Sequence, residues 1–198
     1  RLGKGYTIVL SVVDADTPRV ILTKSGTAKN EDALIPALGE LAKQLRKGLG
    51  ENRQALGATR SMALVATPSF EAYRLYVQGY LIYLRQVSNR DALRFDRAAL
   101  AWDPDFATAW VDAAYKYMNL GFQDSALTCL EEALRRPERL SLGQRLGAEQ
   151  ARAFAIGDFR SSVAAYDRIL AENPENWGAL AGSNDALCYL GRIEEALE

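Results

Sequence analysis

The 198-residue sequence predicts a mainly α-helical protein: a row of stacked helical hairpins, preceded by part of an α/β domain. Three observations carry that reading. Gly121, Gly157 and Gly191 close three helical stretches at nearly equal intervals of about 35 residues. Leu34, Leu38, Leu41, Leu45 and Leu49 recur at spacings of four, three, four and four, the mark of one face of an amphipathic helix. Ahead of them, Tyr6, Ile8, Leu10 and Val12 alternate with Thr7, Val9, Ser11 and Val13, the period of two that a half-covered strand requires.

The strand signal comes first along the chain. Asp14 to Arg19 holds two aspartates, a threonine and a proline and suits a turn, after which Val20 to Thr23 returns as a second strand. The leucine row then predicts a helix from about Asn30, with Pro36 in its first turn and Gly48 and Gly50 at its end. A hairpin and one helix enclose no core of their own. Residues 1–50 therefore read as the C-terminal part of an α/β domain, whose remaining strands come from upstream or from a partner. The opening at Arg1 and the stop at Glu198 inside a helical pattern likewise predict a piece of a longer protein.

Residues 51–69 read as a linker that packs back through Met62, Leu64 and Val65. Thr67-Pro68 is expected to start the next helix, the threonine hydroxyl capping free amides and the proline occupying the first helical position. That helix carries the stretch YRLYVQGYLIYL, which sets Tyr73, Tyr76, Tyr80 and Tyr83 within roughly 80° of arc. The stripe is either a packed seam or a surface. Leucine would fill a seam without a hydroxyl that needs a partner, so the rings are expected to be partly exposed at Tyr76, Tyr80 and Tyr83.

The remaining elements repeat. Five residues after each turn glycine stands a small residue, Ala126, Ser162 or Ala196, and Ala92 lies 34 before Ala126. Seven beyond three of these come Ala99, Ala133 and Ile169. Small residues let paired helices approach, and Asp103-Pro104 and Asn173-Pro174 are placed to cap and start the following helices. A period of about 34 residues with two helices per unit is the signature of stacked helical hairpins.

These residues resemble the tetratricopeptide repeat. The second unit matches best, with Trp110, Ala114, Tyr117, Gly121, Ala126, Leu130 and Ala133, and the first aligns Gly79, Ala92, Phe95, Ala99 and Pro104 with one extra residue near RQVSNRDA. The third carries Leu146, Gln150, Ala153, Gly157, Ser162, Tyr166, Ile169 and Pro174, and the fourth stops after Leu180, Asn184, Leu187, Gly191 and Ala196. The resemblance implies a right-handed helical solenoid over 70–198, divided at 70–104, 105–138, 139–174 and an incomplete 175–198. It implies a repeat-packing role for Gly79, Ala92, Ala99, Ala114, Gly121, Ala126, Ala133, Gly157, Ser162, Gly191 and Ala196. It also implies a concave face presenting Tyr73, Tyr76, Tyr80, Tyr83, Val111, Tyr115, Met118, Asn119, Phe154, Asp185 and Tyr189 to a protein or peptide partner. Together with GYTIVLSVVDADTPRVILTKSG, the array is similar to the arm of large bacterial signalling proteins in which a TolB-like (FlgO-like) domain precedes the repeats. In those proteins a serine/threonine kinase, cyclase or DNA-binding domain lies further upstream.

Composition narrows the chemistry. There is no histidine, so Ser-His and Cys-His catalysis and the commonest metal ligand are excluded, and neither a cofactor nor a metal is expected. Cys129 and Cys188 stand far apart in apolar helical contexts and read as free thiols that leave the compartment open, cytoplasmic or extracytoplasmic. A formal charge of -1 argues against nucleic acid, and no apolar run reaches the length of a membrane span. The pairs Glu131-Glu132 and Glu194-Glu195 diverge by about 100° on a helix and share no site. Arg135, Arg136 and Arg139 suit a helix C-terminus. The lysine and paired asparagines with which some tetratricopeptide proteins clamp a peptide carboxylate are missing from the aligned positions.

The expected function is thus non-catalytic protein–protein interaction. The alternatives are a small-molecule sensor at the junction of the two parts and a homodimerising scaffold for an upstream effector.

Overall fold

The computed structural model describes residues 5–53, 56, 64 and 66–196, the Trp177 side chain apart. Strands β1 (Tyr6–Val13) and β2 (Val20–Ala28) pair antiparallel, with Tyr6 opposite Ala28 and a bulge between Val12 and Val13. The second strand is longer than the VILT stretch alone predicts. Its extension through Lys24, Ser25, Gly26 and Thr27 is held by pairing to the start of β1, which overrides the weak strand propensity of those residues. One face of the hairpin, through Ile8, Leu10, Val12 and Leu22, is half-buried under helix α1 (Leu34–Gly48). Gly26 gives Leu41 of α1 room at this contact, since a Cβ there would lie 3.3 Å from the leucine side chain. Pro36 occupies the first turn of α1, where its missing N–H costs no hydrogen bond. The predicted packing of Met62 and Val65 lies outside the described residues, and Leu64 is exposed.

From residue 70 onward the described residues outside the turns are helical. The helices are α2 (Phe70–Leu84), α3 (Asn89–Trp102), α4 (Ala107–Asn119), α5 (Gln123–Leu134), α6 (Leu142–Ala155), α7 (Phe159–Glu172), α8 (Trp177–Tyr189) and the short α9 (Ile193–Ala196). Each packs on its neighbours in sequence, the tightest partnerships being α2 with α3, α4 with α5, and α6 with α7. The molecule is therefore mainly helical with a small two-stranded antiparallel sheet at its N-terminal side.

The first helix of each pair ends the same way. After α4, α6 and α8, Gly121, Gly157 and Gly191 adopt φ of 80°, 77° and 74°. The amides of Phe122, Asp158 and Arg192 then reach back five residues to the carbonyls of Tyr117, Ala153 and Leu187 at 2.9, 2.9 and 3.0 Å. This is the Schellman closure, whose left-handed residue glycine takes without steric cost. After α2 the same closure forms with Gln86 in the glycine's place, at φ 53°, and the Val87 amide bonds the Ile82 carbonyl at 3.2 Å. Gln86 thus takes the turn position, and six residues separate it from Ala92 where five separate each later turn glycine from its small residue, so the extra residue near RQVSNRDA follows the turn.

Three helix starts differ from expectation. Ser69, not Thr67, caps α2 by accepting the Ala72 amide at 3.2 Å, which leaves Pro68 outside the helix. The Thr67 hydroxyl accepts the Ser69 amide at 3.0 Å, ahead of the helix, and donates to Asp103 Oδ2 at 2.5 Å. Asp103 and Asn173 terminate α3 and α7 rather than starting the next helices, because Pro104 and Pro174 each begin a turn that delays α4 to Ala107 and α8 to Trp177.

Small residues line the contacts between helices: Ala92, Ala99, Ala114, Ala126, Ala133 and Ser162 are all fully buried, and Ala196 is half-buried. Ser162 accepts a hydrogen bond from the buried Gln150 amide at 3.2 Å. Around these contacts, Leu130, Leu140 and Ala148 fill the space between α4, α5 and α6, and Phe106 seals α2 and α3 against the start of α4.

Candidate partner-binding surface

Helix α2 can present its tyrosines because its packing residues lie on a neighbouring face. Ala72 and Gly79 are buried against α3 and the start of α4, with Leu75 half-buried beside them. Gly79 is needed there: a Cβ would stand 2.8 Å from Phe95 Cβ, 2.9 Å from the Ala92 carbonyl oxygen and 3.3 Å from Asp96 Oδ1. The tyrosine row then divides between seam and surface. Tyr73 is half-buried, its hydroxyl pushed up in pKa by burial. Tyr76 rests on Phe106 with ring centroids 5.0 Å apart and stacks on Tyr80 at 6.1 Å and 18°. Tyr80 keeps 39% of its surface exposed.

Beneath the rings lies a charged cluster. Lys116 of α4 is 1% exposed, and its ammonium sits 2.8 Å from Asp96 Oδ2 of α3 and 3.6 Å from Asp112 Oδ2 one turn earlier. It also donates to the Asp112 carbonyl oxygen at 3.3 Å and lies 4.9 Å from the centre of the Tyr83 ring, a cation–π contact. Burial pushes Asp96 up to about 6, against the pull of the Lys116 charge, and raises Asp112 in the same direction. Burial foremost, with the Asp112 carboxylate beside it, holds the Tyr76 hydroxyl protonated well above its usual range. Asp96 Oδ1 has no hydrogen-bond partner among the described residues. One ammonium faces two carboxylates.

The other expected face residues separate into four groups. Tyr115 is half-buried and donates to the Gly147 carbonyl at 3.4 Å, with its pKa pushed up to about 12 by burial. Asn119 is exposed and shares with Tyr83, Gln86 and Asn89 a cleft of 380 Å³ at the end of α2. Val111, by contrast, belongs to the core: it is 5% exposed among Leu93, Ala107 and Ala114, and Met118 packs half-buried on the same cluster. Phe154 and Tyr189 lie together elsewhere, 5.6 Å apart, with Phe159 stacked on Tyr189 at 4.6 Å, and Asp185 is exposed near Tyr166.

Lys116 and Asp96 escape motif reasoning, yet their positions carry a signal. Lys116 falls three and seven residues after the buried Ala113 and Ala109, and Asp96 falls between the buried Ala92 and Ala99. A charge at helical spacing from small packed residues marks a buried ion pair.

No family model matches the chain, and no curated protein matches it.

Proposed function

We propose that residues 70–196 form a tetratricopeptide-type right-handed solenoid. Its function is non-catalytic protein–protein interaction through the tyrosine face of its first helices, within an arm of a bacterial signalling protein. Support for stacking comes from hydrogen bonds between residues one repeat apart. Thr67 with Asp103, Asp103 with Arg139, and Thr108 with Gln144 are each separated by 36 residues and lie 2.5, 3.4 and 3.2 Å apart. Equivalent residues of successive units become neighbours when units stack.

The binding role is carried by Tyr80, a large ring left 39% exposed in line with three others and beside a buried carboxylate cluster. A row of ring faces, with the Tyr73 and Tyr76 hydroxyls held protonated by burial, is a surface for a peptide or a partner helix rather than a source of nucleophiles.

The test is Tyr80→Ala, followed by thermal melting and by pull-down from lysate of the source cell. The variant is expected to melt within about 1 kcal/mol of wild type, as surface truncations do, and to lose the partners that wild type retains. Collapse of the fold would return Tyr80 to the core and defeat the reading.

A further inference from the structure

We propose that the tyrosine face engages its peptide through a basic side chain, whose guanidinium or ammonium group seats against the Asp112 carboxylate beside the stacked rings of Tyr76 and Tyr80; this rests on the binding role proposed for that face. The first ground is charge. Lys116 is drawn to Asp96 at 2.8 Å and stands farther from Asp112 Oδ2, at 3.6 Å, so of two carboxylates one is left short of a cation. Asp112 retains 21% exposure of its side chain, enough to be reached from the face, whereas Asp96 is wholly enclosed. The only cation bearing on Asp112, among the described residues, is Lys116.

The second ground is the chemistry of the rings. The molecule already holds one ammonium over a tyrosine of this row, Lys116 at 4.9 Å from the Tyr83 ring. Tyr80, exposed and stacked on Tyr76, offers the same electron-rich face to a cation arriving from outside. The adjoining cleft is lined by Gln86, Ser88, Asn89 and Asn119, which neither repel a basic group nor attract an acidic one.

Length favours a peptide over a free amine. The α2 helix spans 15 residues, about 22 Å, and its tyrosines run along most of it, far beyond the reach of one small cation. Apolar residues flanking the basic one would cover the other rings.

The experiment is selection of a random dodecapeptide display library on the purified protein, in parallel with the Tyr80→Ala and Asp112→Asn variants. Wild type is expected to enrich peptides with one Arg or Lys at a fixed position among apolar neighbours. A synthesised winner should bind at least about tenfold more weakly when its Arg is replaced by citrulline, which keeps the shape and removes the charge. Asp112→Asn should show a similar loss while melting normally, because Lys116 keeps Asp96 as its partner.

Winners without a basic residue, or a citrulline peptide that binds equally well, would overturn the cation while leaving the binding face intact. Displacement of the winner by arginine amide at the winner's own dissociation constant would make the ligand a small cation and overturn the peptide. Equal enrichment on wild type and Tyr80→Ala would overturn the binding face itself.

Discussion

Gln86 occupies a backbone position that glycine fills after the three later first helices. At φ 53° its Cβ crowds the following carbonyl, a cost of about 1 kcal/mol for a residue that is not glycine. Gln86→Gly should relieve that cost, less the extra freedom glycine gains in the unfolded chain, and raise stability by roughly 0.5 kcal/mol, or a melting shift of about 1–2 °C. A lower melting temperature by calorimetry would show that the glutamine side chain holds the turn by contacts of its own. The residue scale also shows where the sequence was opaque. Gly121, Gly157 and Gly191 announce their turns, but Gln86 does not, because the conformation is imposed by the helices on either side rather than by its own preference.

Three helices meet at Lys116, and there the balance of charge should be visible in stability. The folded protein holds Asp96 up to about 6, above its unfolded value near 4. Between those values the native state binds the proton that the unfolded chain releases, so this group makes the fold less stable as pH rises from about 4 to 6, and level above. Asp96→Asn removes the titration. The melting temperature of wild type minus that of Asp96→Asn should therefore fall from pH 4.5 to pH 7, by the equivalent of about 1–3 kcal/mol, with Asp112 present in both proteins. A difference that does not change with pH would mean that Lys116 keeps Asp96 ionised throughout. The helices that build this junction were legible from the spacing of turn glycines and small residues, and the tyrosine row from its own helical spacing. The ion cluster beneath it left only a trace, two charges at helical spacing from small packed residues, because a lone lysine or aspartate in a helix normally faces water and their pairing depends on which helices pack together. Val111 shows the converse: its aligned position suggested surface, yet the alanines around it bring α3 and α5 close enough to cover it.

Across the whole molecule the bonds at a separation of 36 residues link the start of one helix pair to the start of the next, and Asp103 takes part in two of them, with Thr67 on one side and Arg139 on the other. Asp103→Ala should cost about 2 kcal/mol, the loss of two partly buried hydrogen bonds to a charged group. Its distinguishing effect is spatial. Amide hydrogen exchange should quicken at the start of α2 and at the start of α6 together, although two full repeats separate Thr67 from Arg139 along the chain. Quickening confined to the α3–α4 turn would mean that the bonds are incidental to stacking. The succession of helix pairs that these bonds join was legible in the spacing of glycines and small residues. The helix starts were not, since Asp103-Pro104 and Asn173-Pro174 carry cap chemistry but spend it on turns between units. The second strand was likewise legible only in part, because Lys24 to Thr27 owe their extension to the partner strand.

Lys116 is the only lysine between residues 70 and 198, and it is enclosed, whereas Lys29, Lys43 and Lys47 near the hairpin lie exposed. Every amine-directed reaction on the helical part therefore converges on one atom that solvent does not reach. Acylating reagents, and an endoproteinase that cleaves after lysine, meet ready targets in the hairpin and α1 and none in the folded helices α2 to α9. The first adduct or cut at Lys116 dates the moment at which α4 parts from α2 and α3, so an ordinary peptide map records the opening of that junction without any added label.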